Sequence, residues 1–422
     1  MKRVDPERLL SEVAGRFERC FWLDGGGARA WSGRRSMVGW LERDDISLTY
    51  HRAAGEVRRH QHGRSVVIGD DIFAALQSEL AAGGPEDDWV GYFGYAARAD
   101  LPAAPDELLP DAIWMRPSQI RWVVHEEPAL TADPALVADS GARPTESAEK
   151  PPGDYAAAFA AVQEQLHAGN SYEVNLTYRD DAVSALDPLT AYLRLRAVNP
   201  APYAGFLQHD VPDARGWLLS SSPERYAVIG ADRMLETKPI KGTTPRAAEP
   251  AEDERLRDHL ASDPKIRAEN LMIVDLLRND LSMVCEPGTV EVPALMAVES
   301  YPSVHQLVST VRGRLLPDVS TIEALHALFP AGSMTGAPKL RTMEIIDAVE
   351  SSPRGAYAGA FGWIGADGRA DLGVVIRALM TSGDGRYRYG TGGGVTVLSE
   401  LAEEWAESRW KAARLLRALS DR

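Results

Sequence analysis

Residues 217–243, WLLSSSPERYAVIGADRMLETKPIKGT, decide how the rest of the chain is read. Three short runs, 217–221, 226–229 and 234–237, are apolar or alternating, and Ser-Pro, Gly-Ala-Asp and Lys-Pro punctuate them. Runs of this length between turn residues predict strands, and their closeness in sequence predicts an antiparallel meander. The turns also carry charge. Glu224 in Ser222-Pro223-Glu224-Arg225 is either an ordinary turn residue or a placed general acid. Lys241 beside Gly242-Thr243 is either an exposed turn lysine or a partly desolvated amine able to act as a nucleophile.

Downstream, Ser262-Asp263-Pro264 predicts a helix start, with the helix running through Leu277. Residues 289–298 and 305–314 look extended, and a helix should follow Pro338 as far as Glu350. Strands at 374–380 and 387–391 lead to a final helix over 400–419. Upstream, a helix over 155–168 with Asp154 as N-cap is followed by a strand at 172–178. Short strands at 65–68, 89–95 and 120–124 fill an N-terminal portion, 1–125. Residues 126–153, rich in Ala, Pro, Asp and Glu without periodicity, read as an exposed linker before the main region, 154–422. Long helices among antiparallel-looking strands give α+β rather than a doubly wound sheet.

The 422 residues suffice for one large or two ordinary domains. A formal charge of −15 argues against nucleic acid or an anionic membrane surface as a partner. No run of eighteen apolar residues predicts a membrane span, and the N-terminus does not resemble a signal peptide, so a cytoplasmic location is the default expectation. Cys20 and Cys285 cannot make a disulfide framework or a cysteine zinc site. An acidic chain that binds an anion must gather local cations, or hold a metal with Asp or Glu.

On the final helix, Glu404 and Glu407 are three apart and Lys411 follows four later, so all three share a face. A solvated, ion-paired face explains this as well as a metal site does. Thr391-Gly-Gly-Gly-Val395, read as a loop between strand and helix, offers bare backbone N–H groups to an anion. Magnesium usually takes one or two carboxylates plus substrate oxygens, so the neighbouring acids suit it. Glu269 stands beside a strongly apolar run that ends in Asp275, Arg278, Asn279 and Asp280, polar groups that need partners. His305, in an apolar strand, is either a core histidine or a catalyst. No phosphate-binding P-loop, HExxH helix or Cys-x-x-Cys is present.

The order of these signals is more specific than any one of them. SPER (222–225), KPIKGT (238–243), AENLMIVDLLRNDL (268–281), PSVHQLVSTVRG (302–313), AGSMTGAPK (331–339), AYAGAFGW (356–363), VVIRAL (374–379) and the glycine-rich segment follow one another. Across residues 155–415 the chain resembles the chorismate-utilising enzyme family: anthranilate, aminodeoxychorismate, isochorismate and salicylate synthases. The resemblance implies an α+β fold of two large facing, antiparallel-rich sheets with flanking helices, and dependence on Mg²⁺. It implies Glu269, Glu404 and Glu407 around Mg²⁺ at the chorismate ring carboxylate. It implies carboxylate binding by the Gly393 and Gly394 backbone, Arg377 and Lys411, with Tyr357 and Thr335 nearby. Glu224 would assist loss of the C4 hydroxyl, and His305 would lie close to the departing group.

Two positions choose among family members. Glu173 stands where water-adding isochorismate and salicylate synthases resemble one another in carrying a lysine base, and where amine-forming members usually carry Gln. The PIKGT segment at 239–243 resembles aminodeoxychorismate synthases, whereas anthranilate synthases resemble PIAGT. The implied chemistry has the Lys241 amine attack C2 while the C4 hydroxyl leaves; ammonia then attacks C4 and expels the lysine. A neutral nucleophile needs a lowered lysine pKa, expected here from burial and neighbouring cations. The nitrogen would come as ammonia from a separate glutamine amidotransferase subunit. Anthranilate formation is the enzymatic rival. A non-enzymatic binding module is the other, and the joint presence of Glu224, Lys241, Glu269, Glu404 and Glu407 argues against it. The N-terminal part resembles the tryptophan-binding region of relatives, and residues 21–24 and 34–36 leave open whether a pocket exists there.

Overall fold

In the computed structural model, which describes residues 5–27, 32, 35–125, 150–301 and 304–420, neighbouring residues of one strand serve different cores. Phe21 and Trp22, Leu207 and Phe206, and Leu218 and Leu219 are all fully buried, yet each pair divides between two hydrophobic clusters. Side chains alternate across a strand, so a sheet covered on both faces needs apolar residues at successive positions.

That sheet has nine strands. From one edge it runs β17 (Gly336–Ala337), β9 (Glu173–Val183), β21 (Arg386–Val395), β20 (Ala378–Thr381) and β11 (Gly216–Ser222). It continues through β10 (Tyr203–His209), β1 (Arg19–Asp24), β2 (Arg35–Trp40) and β8 (Gln119–Val124). A second, twelve-stranded sheet begins β14 (Ile240–Pro245), β16 (Val304–Arg314), β13 (Met234–Lys238), β12 (Arg225–Ile229), β19 (Ala370–Val374) and β18 (Ala360–Gly365). It ends β6 (Asp88–Phe93), β7 (Ala112–Arg116), β3 (Ile46–His51), β4 (Glu56–Gln61) and β5 (Arg64–Gly69), with β15 (Glu291–Ser300) also paired to β16. The pairings are antiparallel, giving the expected α+β architecture.

One cluster lies between the sheets and takes in Ile273 and Leu277 of the Pro264–Ser282 helix. The other lies under the helices Pro6–Ala14, Pro188–Val198 and Leu401–Leu419, through Leu10, Leu195 and Leu415. No described helix is long and apolar enough to cross a membrane. Residues before 125 supply strands to both sheets. Of the expected linker, 126–149 lie outside the described residues.

Three local expectations need correction. Asp154 is not a cap: the Gly153–His167 helix has Pro152 at its N-cap, and Asp154, in the first turn, accepts from its neighbour Tyr155 N at 2.9 Å. Pro152 holds an extended backbone, so the helix begins earlier than the polar signal suggested. The meander is split, since β11 belongs to the nine-stranded sheet and β12 and β13 to the other. Residues 374–380 are likewise not one strand but the end of β19 and the start of β20, in different sheets. Turn residues mark a change of direction, and nothing local marks a change of sheet.

Candidate active site

Those two changes of sheet build the site. The chain passes from β11 to β12 through Pro223 and Glu224, and from β19 to β20 through residues 375–377. The crossings brace each other: Val374 N donates to Glu224 O at 3.0 Å and Ser221 N to Arg377 O at 3.1 Å. Arg377 has a φ of +52°, a left-handed conformation costing about 1–3 kcal/mol that the bracing must hold. Glu224 and Arg377 thereby reach one cavity of about 460 Å³, which Lys241, Glu269, Glu404 and Lys411 also line.

The acids come from two helices. Glu404 is buried and accepts from Ser399 Oγ at 2.7 Å and Lys265 Nζ at 3.2 Å. Glu407 pairs with Lys411 at 2.9 Å, and Lys411 Nζ also donates to Gly392 O at 2.8 Å. Among the described residues Glu269 makes neither a hydrogen bond nor an ion pair. Burial pushes its carboxyl up to about 7; Lys241 and Lys265 pull it back while Glu173 and Glu404 add to the rise. The described residues contain no ready-made group of three or more metal ligands. What they offer is carboxylates facing a cavity, the donor set that magnesium completes with substrate oxygens.

The cations face them. Arg377 has no carboxylate partner among the described residues; its guanidinium lies over the Trp410 ring at 5.9 Å. Burial, then the like charge of Arg414, lower it to about 10. A desolvated guanidinium without a counter-ion is a site for an anion.

Glu224, 5% exposed, accepts from Ser333 Oγ at 2.6 Å. Burial pushes it to about 7 against the pull of Ser333, Lys241 and Lys411, so it is partly protonated at neutrality, as a general acid must be. Lys241 reverses its expectation. Burial alone would lower its pKa, but Glu173, Glu269 and Glu224 outweigh burial and raise it. The Lys241 ammonium is in direct contact with Glu173 Oε1.

The glycine-rich segment also differs from its reading as a loop. Gly392, Gly393 and Gly394 lie within β21, paired with Thr177, Leu176 and Asn175 of β9. Neighbouring groups press on the strand: at Gly392 it is the β9 backbone, where a Cβ would overlap Leu176 O, and at the others it is side chains. A Cβ at Gly390 would overlap the Tyr357 ring, one at Gly393 would sit 3.0 Å from Glu404 Oε2, and one at Gly394 would overlap the Glu173 carboxylate. Pairing with β20 stops at Tyr389, so the backbone beyond it borders the cavity.

Two expected residues are not brought there. His305 is turned away: its Nδ1 meets Ser300 Oγ at 2.8 Å and its Nε2 meets Asp253 Oδ1 at 3.1 Å. Alternation along β16 gives the cavity Gln306 instead. Thr335 is fully buried beside the cavity wall, its hydroxyl donating to Gly332 O at 3.2 Å. Sequence reasoning also missed Lys265, Ser333 and Asn175, which line the cavity. Lys265 stands one helical turn before Glu269, a signal that was there to use.

The model of the chorismate binding enzyme family matches residues 18–417. Over 99% of its length the chain is 40% identical to aminodeoxychorismate synthase of Streptomyces griseus, covering 63% of that protein. It is 44% identical to aminodeoxychorismate synthase component 1 of Klebsiella aerogenes over 63% of this chain and 58% of that one. It thus spans less than two thirds of either relative. The solved anthranilate synthase component I of Streptococcus pneumoniae is similar in structure, with a TM-score of 0.72 at 25% identity over 92% of this chain and 93% of that one.

Proposed function

The chain belongs to the chorismate-binding enzyme family, and from that premise we propose that it replaces the C4 hydroxyl of chorismate with ammonia to give 4-amino-4-deoxychorismate. The observation that carries the reading is Lys241, a buried amine of the KPIKGT segment that lines the same cavity as Glu224.

Chorismate is a dianion and the cavity has two places for negative charge. Arg377, short of a counter-ion, takes one carboxylate, with Tyr357 and Lys411 alongside. The other faces Glu269, Glu404 and Glu407, where only a cation makes the meeting favourable. These acids suit Mg²⁺: Glu269 is an uncompensated, partly buried carboxylate, and Glu404 and Glu407 already hold the cations Lys265 and Lys411. Bound there, Mg²⁺ would neutralise the ring carboxylate and act as a Lewis acid.

Glu224 supplies the proton that turns the departing C4 hydroxyl into water. Ser333 fixes one of its oxygens. The Lys241 ammonium first loses a proton to solvent; the amine lone pair then bonds to C2 as the ring double bonds shift and the C4–O bond breaks. Ammonia then forms a bond at C4 and the C2–N bond breaks, returning a free lysine amine. The new ammonium passes a proton to Glu224, restoring the acid. We assign the ammonia to a separate glutamine amidotransferase subunit, consistent with the component name of the Klebsiella relative, the product to p-aminobenzoate formation, and the location to the cytoplasm.

The test is to incubate the purified chain with chorismate, Mg²⁺ and ammonium and resolve the products by mass. Aminodeoxychorismate, retaining its enolpyruvyl group, is expected. Anthranilate would transfer the chain to the other amine-forming branch, and absence of turnover would remove the enzymatic reading.

A further inference from the structure

We infer that Glu173 is the positioning residue for Lys241, and that Gly394 is a glycine because the Glu173–Lys241 pair occupies the space its side chain would fill. The inference rests on the C4-amination reading above.

Glu173 opens β9, where its backbone pairs with Ala337 of β17 and its carbonyl accepts from Ser171 Oγ at 2.9 Å. Its side chain is completely buried. One oxygen, Oε1, accepts from Lys241 Nζ; the other, Oε2, has no hydrogen-bond partner among the described residues. Such a carboxylate is a poor structural device. A buried ion pair adds little net stability, and an unsatisfied buried oxygen costs free energy. Its contact with Lys241 accounts for its retention. A Cβ at Gly394 would overlap Glu173 Oε1 and lie 3.1 Å from Lys241 Nζ. Strand β9 thus holds Glu173, Glu173 holds the amine, and the bare Cα of Gly394 leaves room for both.

The same contact governs the charge on the amine. The acids that face Lys241 are Glu173 from β9, Glu269 from the Pro264–Ser282 helix and Glu224 from the first crossing, and together they favour the ammonium against the effect of burial. Lys265 and Lys411 lie beyond these acids, paired with Glu404 and Glu407. The nucleophile must shed its proton before it can bond to C2, so turnover should rise with pH through the titration of Lys241.

Two substitutions separate place from charge. Glu173→Gln keeps an acceptor oxygen but removes the negative charge; Glu173→Ala removes both. In Glu173→Gln the alkaline rise of kcat should move at least about one pH unit lower, with the plateau within about ten-fold of the parent. In Glu173→Ala kcat should fall about 30-fold or more with KM for chorismate within about two-fold, and Gly394→Ala should lose kcat in the same way. A second readout needs no turnover: competitive acetylation of the amines across pH, mapped by mass spectrometry without chorismate or metal. The labelling midpoint of Lys241 should fall in Glu173→Gln while those of Lys265 and Lys411 stay put. Full kcat in a folded Glu173→Ala variant, or an unmoved pH rise and labelling midpoint in Glu173→Gln, would overturn the inference. A parent enzyme that makes no aminodeoxychorismate, yet shows the labelling shift, would sink the amination reading and leave the positioning of Lys241 standing.

Discussion

Two acidic clusters lie along β9, and their carboxylates are treated in opposite ways. Glu350 is saturated. Its Oε1 accepts from Thr177 N (2.8 Å), Thr177 Oγ1 (2.8 Å) and Arg354 Nη2 (2.7 Å). Its Oε2 accepts from Arg179 Nη2 (2.7 Å) and Arg354 Nε (3.0 Å). Burial would raise its pKa, but Arg354 and Arg179 outweigh burial and bring it down to about 2. Arg354 also donates to Met334 O and Asn175 O, so this cluster fastens β9 to the segment that carries Ser333. In the cavity, among the described residues, Glu269 has no hydrogen-bond or ion-pair partner and Glu224 has one, and burial lifts both to about 7. A carboxylate that holds the fold together is given all the donors it can accept. Those that the proposed reaction would have meet a metal, a substrate or a proton are left short of donors, beside the saturated cluster.

That contrast can be broken by substitution. The largest expected effect is on chemistry: Lys241→Ala should lose at least about 10,000-fold in C4 amination, measured as kcat/KM, with its melting temperature little changed. Next, Glu350→Ala leaves Arg179 and Arg354 uncompensated and should cost about 3–5 kcal/mol in urea unfolding. Glu269→Gln should show the opposite balance. Turnover with Mg²⁺ should fall about 100-fold while the melting temperature stays level or rises, because an uncompensated charge has been removed from the cavity wall.

The pH dependence of stability should divide the same way. Glu350 is depressed in the folded state, so its contribution is present above the ordinary carboxylate range and is lost as pH falls through about 2. Glu224 and Glu269 are raised, so the stability they lend as neutral acids is present below that range and is lost as pH rises through about 7. In the metal-free protein the urea midpoint should therefore fall between pH 5 and 8, and Glu269→Gln should flatten part of that fall. The smallest effect belongs to Ser333→Ala. Without that donor Glu224 should ionise at higher pH, its own carboxyl titration, followed by infrared difference spectroscopy, moving upward by less than about one unit. A downward movement would deny that Ser333 favours the Glu224 carboxylate.

How far the sequence anticipated this arrangement depends on the range of the contact. Glu224, Lys241, Glu269, Glu404, Glu407 and Lys411 were legible, because each sits in a short segment with its own pattern and all of them line one cavity. The Asp263–Pro264 helix start was legible too, since the Asp263 cap to Ile266 N is local. His305 was misplaced by one residue for a physical reason: β16 is buried on both faces, so its composition cannot say which face meets the cavity. The charge on Lys241 was misjudged because its partner, Glu173, lies 68 positions away and meets it only through the pairing of β9. The glycines of β21 looked like a loop because the groups that press on them, side chains and the β9 backbone, belong to other elements. The crossings at Glu224 and Arg377 were invisible for the same reason, since a change of sheet has no local signature.

The central claim is that Lys241 bonds to chorismate, and it can be tested directly by withholding the second nucleophile. The protein would be mixed with chorismate and Mg²⁺ without ammonium, quenched, digested and mapped by mass spectrometry. The account predicts an adduct of chorismate less water on the peptide containing Lys241, its absence in Lys241→Ala, and its disappearance when ammonium is added before the quench. An enzyme that forms aminodeoxychorismate with ammonium but carries no adduct, or carries it on another residue, would contradict the account.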